Sequence, residues 1–423
     1  MRRPPQKSLR LSRRNRSKLN HAMQTMKQGQ RFPALYERDY RLFFIGQTIS
    51  LVGTWMQQTA LGWLVYSITK SSFYLGLLGV ATSLPVLFFS LFGGVFADRF
   101  NKRNILITTQ ALSIIPALML AFLTDFHAIG VWTILIVAAL LGTVNSLDIP
   151  VRQSYMIEIA GRENLLNAVA LNSTAFHGAR VFGPSIAGLI IGFHGMSACF
   201  YLNAISFVPV IYLLCRISNR GKPREGSHDG VFTGIKGGIK FILGERRILF
   251  IILTISIFSL FGIPYAQLMP VFADKVYGVG PIGLGYMMSC VGAGSVLAGI
   301  IIAFRRDIIN KLLFMSVTGF LFPVSLLAFT IIDNFYLALV FLAVIGFNLV
   351  GFLATANSYI QLSVPDSFRG RVMSVFAMMF LGMAPFGAAL TGATAEIIGI
   401  KTTILSTAIV CLTGFTIFRE KWK

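Results

Sequence analysis

Acidic residues are scarce in this chain: 16 Asp and Glu stand against 37 Lys and Arg in 423 residues, and only 13% of the residues are charged. An ordinary soluble protein is about 25% charged. The middle of every long apolar run is free of acids: Asp125, Asp274, Asp333 and Glu396 lie at one set of run ends, and Asp98 and Asp148 at the other. Paired carboxylates for hydrolysis are therefore missing, and so is the buried carboxylate that usually carries protons. The four cysteines, Cys199, Cys215, Cys290 and Cys411, sit inside apolar runs without ligand-like spacing, which argues against a disulfide framework or a zinc site. Metal-spaced histidines, a Cys/His set and a GxxxxGK[ST] loop are all absent. An enzyme, a bound metal or cofactor and an ATP-driven pump are accordingly disfavoured.

What fills the chain instead is oil, with 55% hydrophobic residues and a mean hydropathy of +0.72. A spanning helix needs ~20 apolar residues to cross a hydrocarbon core of about 30 Å. Runs of that length are Leu42 to Ile68, Phe73 to Ala97, Ile105 to Leu123, Ala128 to Leu147, Leu166 to Phe193 and Ser197 to Cys215. Leu249 to Phe272, Ile282 to Phe304, Leu312 to Ile332, Tyr336 to Asn357, Val372 to Ile398 and Thr402 to Phe418 make twelve. Strand-like alternation is lacking, so the expectation is an all-α membrane protein of twelve transmembrane helices.

The net charge of +21 could suggest nucleic acid, but the bases alternate by loop rather than forming one patch. They concentrate after even-numbered spans, whereas the odd junctions carry only Lys70, Lys275 and Lys401. By the positive-inside rule both termini are expected in the cytoplasm.

Four segments follow. Residues 1–40 form a basic tail without a signal-peptide core; it reads as a solvated tail, a tether to anionic lipid, or a start placed too early, with Met23 or Met26 the true beginning. Residues 41–216 and 248–423 are two six-helix halves. Between them, residues 217–247 are a linker in which Phe232, Ile235, Ile239 and Ile242 recur at helical spacing, predicting an amphipathic surface helix. The halves echo one another: SYMIEIAGREN at Ser154 parallels SYIQLSVPDSF at Ser358, each placed in a loop before a fifth span, and FGPSIAG at Phe182 parallels APFGAALTG at Ala384. Two six-span repeats with a binding site at their interface describe a common secondary-transporter plan.

GVFADRFNKR, Gly94 to Arg103, joins spans two and three. Its order of small, apolar, acidic and basic residues resembles the signature loop of the major facilitator superfamily, with Asn101 replacing the usual second glycine. Longer strings extend the likeness from about Leu35 to Phe418: WMQQTALGWLVYSITKSSFYLGL at Trp55, DIPVRQSYMIEIAGRENLLNAVALNSTAFHGARVFGP at Asp148, MPVFADKVYGVGPIGLG at Met269 and VPDSFRGRVMSVFAMMFLGMAPFGA at Val364. They resemble the transmembrane secretion effector branch, which holds enterobactin exporters and macrolide-efflux permeases. The resemblance implies a bacterial inner-membrane exporter of a small siderophore-like or drug-like molecule, working by proton antiport. It also implies a cytoplasmic gate at Gly94, Asp98, Arg99, Lys102 and Arg103, to which Asp148 and Arg152 are added. A monomer is expected.

Polar residues then fall on helical faces. Gln47, Ser50, Thr54 and Gln57 share one side of the first span, Ser173, His177 and Arg180 one side of the fifth, and Asn348 and Thr355 one side of the tenth. A charge at the bilayer centre costs about 3 to well over 10 kcal/mol, so such residues face an interior or a watery cavity. Arg180 lies about 18 Å into the fifth span at 1.5 Å per residue, near the midplane. The expected cargo cavity is Thr54, Gln57, His177, Arg180, Asn348, Phe376, Met379, Phe380 and Met383, the aromatic rings and thioethers adapting to bulky cargo. Gly178, Gly183, Pro184 and Gly188 should kink the fifth span and let it pack closely. The proton carrier is open among Asp148, His177 and direct competition with cargo. A lipid transporter or flippase of the same fold and a transport-inactive sensor are the alternatives.

Overall fold

A computed structural model describes residues 32–219, 221, 231–304 and 310–422. The basic tail before residue 32 and the side chains of 91–99, 162, 231–235, 304 and 366–367 lie outside the described set. Among the described residues every regular element is helical. The first half holds α1 (Arg38–Thr69), α2 (Ser72–Arg99), α3 (Lys102–Asp125), α4 (Val131–Ala160), α5 (Leu165–His194) and α6 (Met196–Arg216). A short α7 (Val231–Gly244) follows, and then α8 (Arg246–Val276), α9 (Gly280–Phe304), α10 (Lys311–Ile331), α11 (Phe335–Ser363), α12 (Asp366–Leu381), α13 (Ala384–Ile398) and α14 (Ile400–Glu420). We term the face where α1 begins and α14 ends the terminal face, and its opposite the far face.

Eleven segments among the described residues are long and apolar enough to cross a bilayer, α12 and α13 counting as one. The twelfth expected span is α1, whose 32 residues are ample by length. Its hydropathy is diluted by Gln47, Ser50, Thr54, Gln57, Gln58 and Thr59, so its polar content and not its length sets it apart.

Within the first half α6 packs between α1 and α3, and α2 lies along α4; within the second, α11 sits between α9 and α10. The halves meet along α5 with α9 and along α2 with α13. Two of the second-half helices depart from regularity. In α8 a 3₁₀ segment, Ile263–Leu268, is flanked by π turns at Phe258–Gly262 and Phe272–Val276. Pro264 and Pro270 explain it, since each removes an N–H from the ladder and shifts its register. The fifth span of the second half breaks between α12 and α13, and Pro385 starts the new helix where a missing N–H costs nothing. Its counterpart Pro184 lies inside an unbroken α5.

The sequence echoes at Ser154 and Ser358 begin in helix and reach the expected turns only past Ala160 and Ser363, because α4 and α11 run 30 and 29 residues and outlast the hydrocarbon. Helix α7 forms over the expected stretch and packs on α12: the Phe241 and Phe368 rings stack at 5.0 Å, and Ile242 is buried while Leu243 is exposed.

Candidate functional site

The crossing of α1 and α5 sets the centre of the molecule. At Gly183 a Cβ would lie 2.6 Å from the Trp55 Cβ, so only glycine lets α5 come this close. The approach seats the Arg180 guanidinium over the Trp55 ring, 5.5 Å from its centroid. Such a contact is worth up to about 2 kcal/mol where water is excluded. It does not neutralise the charge.

Both groups line a cavity of 280 Å³ between the two halves. The first half supplies Trp55, Gln58, Thr59 and Arg180; the second supplies Tyr265 and Gln267 from the irregular part of α8, with Met288 from α9. No described residue forms a hydrogen bond or ion pair with Arg180. Tyr265 is 1% exposed and its hydroxyl has no partner. Apart from Thr82, whose hydroxyl bonds to the Leu78 carbonyl of its own helix, the rest of the wall is apolar, including Leu61, Leu78 and Pro270.

Toward the far face the cavity is sealed. Ser289 Oγ donates to the Val181 carbonyl at 2.6 Å and lies 2.6 Å from Ser185 Oγ. One turn on, Gly188 meets Gly285 so closely that a Cβ on Gly188 would lie 2.8 Å from the Pro281 carbonyl oxygen. On the other seam Gly76 meets Gly392. Beyond these contacts Lys70 pairs with Asp274 at 2.9 Å. Glu396 Oε2 accepts from Ser71 Oγ, Ser72 N and Phe73 N at 3.0, 2.8 and 3.3 Å, so a carboxylate of α13 caps the N-terminus of α2 across the halves. The cross-half contacts of Thr59 with Met288, Ser185 with Ser289, Lys70 with Asp274 and Ser71 with Glu396 lie from the level of Arg180 outward. Toward the terminal face Gly178 already looks onto open space, so the close packing expected of it falls to Gly183 and Gly188.

The other expected residues divide. Lys102 is 2% exposed and pairs with Glu158 at 2.9 Å; Arg103 donates to the Ile217 carbonyl at 2.7 Å, capping the end of α6. Asp148 accepts from Thr109 and Gln110 at 2.8 and 2.9 Å and faces Arg152 at 3.5 Å, while Arg152 donates to Gln47 at 3.0 Å. These contacts tie α1, α3, α4 and α6 of one half together. The side chains of Asp98 and Arg99, with Gly94 in the same stretch, lie outside the described ones.

Of the expected cavity residues, Arg180 lines the cavity together with Pro184. Thr54 donates to the Ser50 carbonyl of its own helix, and Gln57 accepts from Asn203 of α6 at 2.7 Å, so the polar stripe of α1 serves its own half. Gln58, the next residue, turns into the cavity instead. His177 packs edge-on to Phe176 at 5.5 Å, below the cavity. Asn348 is 2% exposed and bonds to the Val344 carbonyl within α11. Phe376, Met379 and Phe380 are half-buried against the second-half core, and neither they nor Met383 line the cavity. Tyr265 and Gln267 were the residues missed. Their signal was available: PYAQLMP sets two polar side chains between prolines in an apolar run, and interrupted spans are where transporters place binding groups.

The family model described as transmembrane secretion effector matches residues 30–421. The staphyloferrin A transporter of Staphylococcus aureus is 26% identical over 383 residues, covering 88% of this chain and 94% of that protein. The multidrug efflux pump Tap of Mycobacterium tuberculosis is 24% identical over 394 residues, covering 89% and 92%. Among solved structures the nucleoside transporter NupG superposes with a TM-score of 0.72 at 14% identity, covering 91% of this chain and 99% of that one, a likeness of fold alone. With a match that leaves only the two chain ends uncovered, and relatives that are multi-pass membrane transporters and not enzymes, this chain belongs to the transmembrane secretion effector family of the major facilitator superfamily.

Proposed function

We propose that this protein exports a small amphipathic molecule across the bacterial inner membrane by alternating access, in exchange for protons, as a monomer with both termini in the cytoplasm. The observation that carries the reading is the cavity between the halves, closed toward the far face by cross-half contacts while Gly178 beside it looks onto open space. Loop charges support a cytoplasmic terminal face. The cavity then faces the compartment from which an exporter loads. Both sides of the cavity come from one chain, which supports a monomer. The siderophore transporter and the multidrug pump among the relatives support small-molecule cargo.

Gly94, Asp98, Arg99, Lys102 and Arg103 are proposed to close the terminal face when the far face opens, with the Asp148–Arg152 pair bracing the same half. Proton exchange would use Asp148, His177 or competition at the cavity, since the spans lack a central carboxylate.

Inverted membrane vesicles with an acid interior should accumulate at least one member of a panel of amphipathic dyes, labelled macrolides and catecholates when the chain is expressed, and nigericin should abolish the accumulation. Accumulation that survives nigericin contradicts proton exchange. Uptake by right-side-out vesicles alone would reverse the direction.

A further inference from the structure

Among the described residues that line it, the cavity holds one full positive charge and no negative one. Arg180 is held by Trp55, has no acidic partner among the described residues, and shares the cavity with a buried, unbonded Tyr265 hydroxyl and the amides of Gln58 and Gln267. A half-buried charge without a counter-ion and a buried hydroxyl without a partner are both costly, and one ligand group can satisfy them together. Resting on the transport reading above, we infer that the cavity binds the carboxylate of an amphipathic monoanion, anchored by Arg180 from one half and the Tyr265 hydroxyl from the other.

The choice of carboxylate follows from charge and shape. A guanidinium presents a planar fork that matches a carboxylate with two parallel hydrogen bonds. A phosphate monoester carries a charge of about −1.5 to −2 at neutral pH. A single arginine would leave part of that charge uncompensated, because no lysine or second arginine lines the cavity. The two amides can donate to the remaining carboxylate lone pairs. Beyond the head, Leu61, Leu78, Pro270 and Met288 offer only apolar contact, so the body of the ligand is apolar or aromatic. At 280 Å³ the cavity lies near the lower end of small-molecule sites, about 300 to 1,000 Å³. It suits a small cargo, or the head of a larger one whose body extends toward the terminal face.

Position adds a consequence. The Arg180 carbonyl abuts α9 at Gly292, where a Cβ would lie 2.8 Å away, so the anchor sits at the edge of the sealed seam. A carboxylate bridging Arg180 and Tyr265 links the halves at the level from which they diverge. Cargo would then favour closure of the terminal side.

The test uses the full-length protein, purified as a monodisperse detergent complex, with labelled 1-naphthoate as the probe and 1-naphthamide and 1-naphthyl phosphate as competitors. Naphthoate should bind, and the amide and the phosphate should each compete at least tenfold more weakly. Arg180→Gln should weaken naphthoate at least tenfold without changing the affinity for the amide. Tyr265→Phe, which keeps the ring, should weaken naphthoate several-fold and serves if Arg180→Gln does not purify. Equal competition by the amide, preference for the phosphate, wild-type affinity in either variant, or no naphthoate binding at 10 mM overturns the inference. Transport of the probe panel in the vesicle assay is read separately, so loss of the carboxylate site and loss of the transporter reading are distinguishable.

Discussion

Neighbouring glutamines on α1 do different jobs. Gln57 bonds to Asn203 inside the first half, whereas Gln58 lines the cavity between halves. Gln57→Leu should therefore lower the melting temperature in detergent by an amount equivalent to about 1 kcal/mol, the scale of an interhelical hydrogen bond in a membrane protein, with naphthoate binding unchanged. Gln58→Leu should do the opposite, sparing stability and weakening binding. The reverse pattern would mean that the helix is rotated from the position described. Lys102 makes a second case, being buried with its ammonium on Glu158. Glu158→Gln removes the charge from that contact, and a melting-point loss equivalent to about 1–3 kcal/mol is expected. No loss would show that the pair is incidental. At this scale the sequence was half legible. Spacing put Gln47, Ser50, Thr54 and Gln57 on one face, but it could not say which neighbour that face meets. Arg180 stood out because an intramembrane charge is rarely idle.

Helices follow from the sequence wherever an apolar run is long and uninterrupted, because in lipid the backbone has no other way to satisfy itself. The break at Gly382 and the π turns of α8 were not legible. Proline marks where a ladder must fail, but whether the chain continues as one helix, as through Pro184, or starts a new helix, as before Pro385, depends on packing partners far away in sequence. The far-face latch was hidden for the same reason. Glu396 could be read only as an acid at a run end, since the N–H groups it accepts from lie 323 and 324 positions earlier. Charge at a helix N-terminus together with charge-assisted hydrogen bonds is worth about 1–2 kcal/mol in such a setting. Glu396→Gln should accordingly raise the maleimide labelling rate of a cysteine placed at Leu77 on α2 by roughly 5- to 30-fold, as the seam opens more often. An unchanged rate would show that the cap does not hold the far face shut.

At the scale of the whole molecule the account rests on two halves that rock as units, so that opening one face closes the other. The contacts tying α1, α3, α4 and α6 together and the aromatic cluster of Phe258, Phe322, Phe352 and Phe415 make each half internally stiff. Gly76 is the place to force the issue, because a Cβ there would lie 2.6 Å from the Ala388 carbonyl oxygen and 2.9 Å from the Gly392 Cα. Gly76→Leu is thus a wedge in the far-face seam that needs no ligand. After replacement of the four free cysteines, spin labels at the exposed Phe126 and Tyr336 report the far face, and labels at Leu166 and Leu362 report the terminal face. Electron–electron distance measurements on both label pairs, with and without Gly76→Leu, test the claim directly. The account predicts that the wedge lengthens the Phe126–Tyr336 distance and shortens the Leu166–Leu362 distance. A far face that spreads while the terminal pair stays put or spreads as well, or a wedge that moves neither pair, would contradict it.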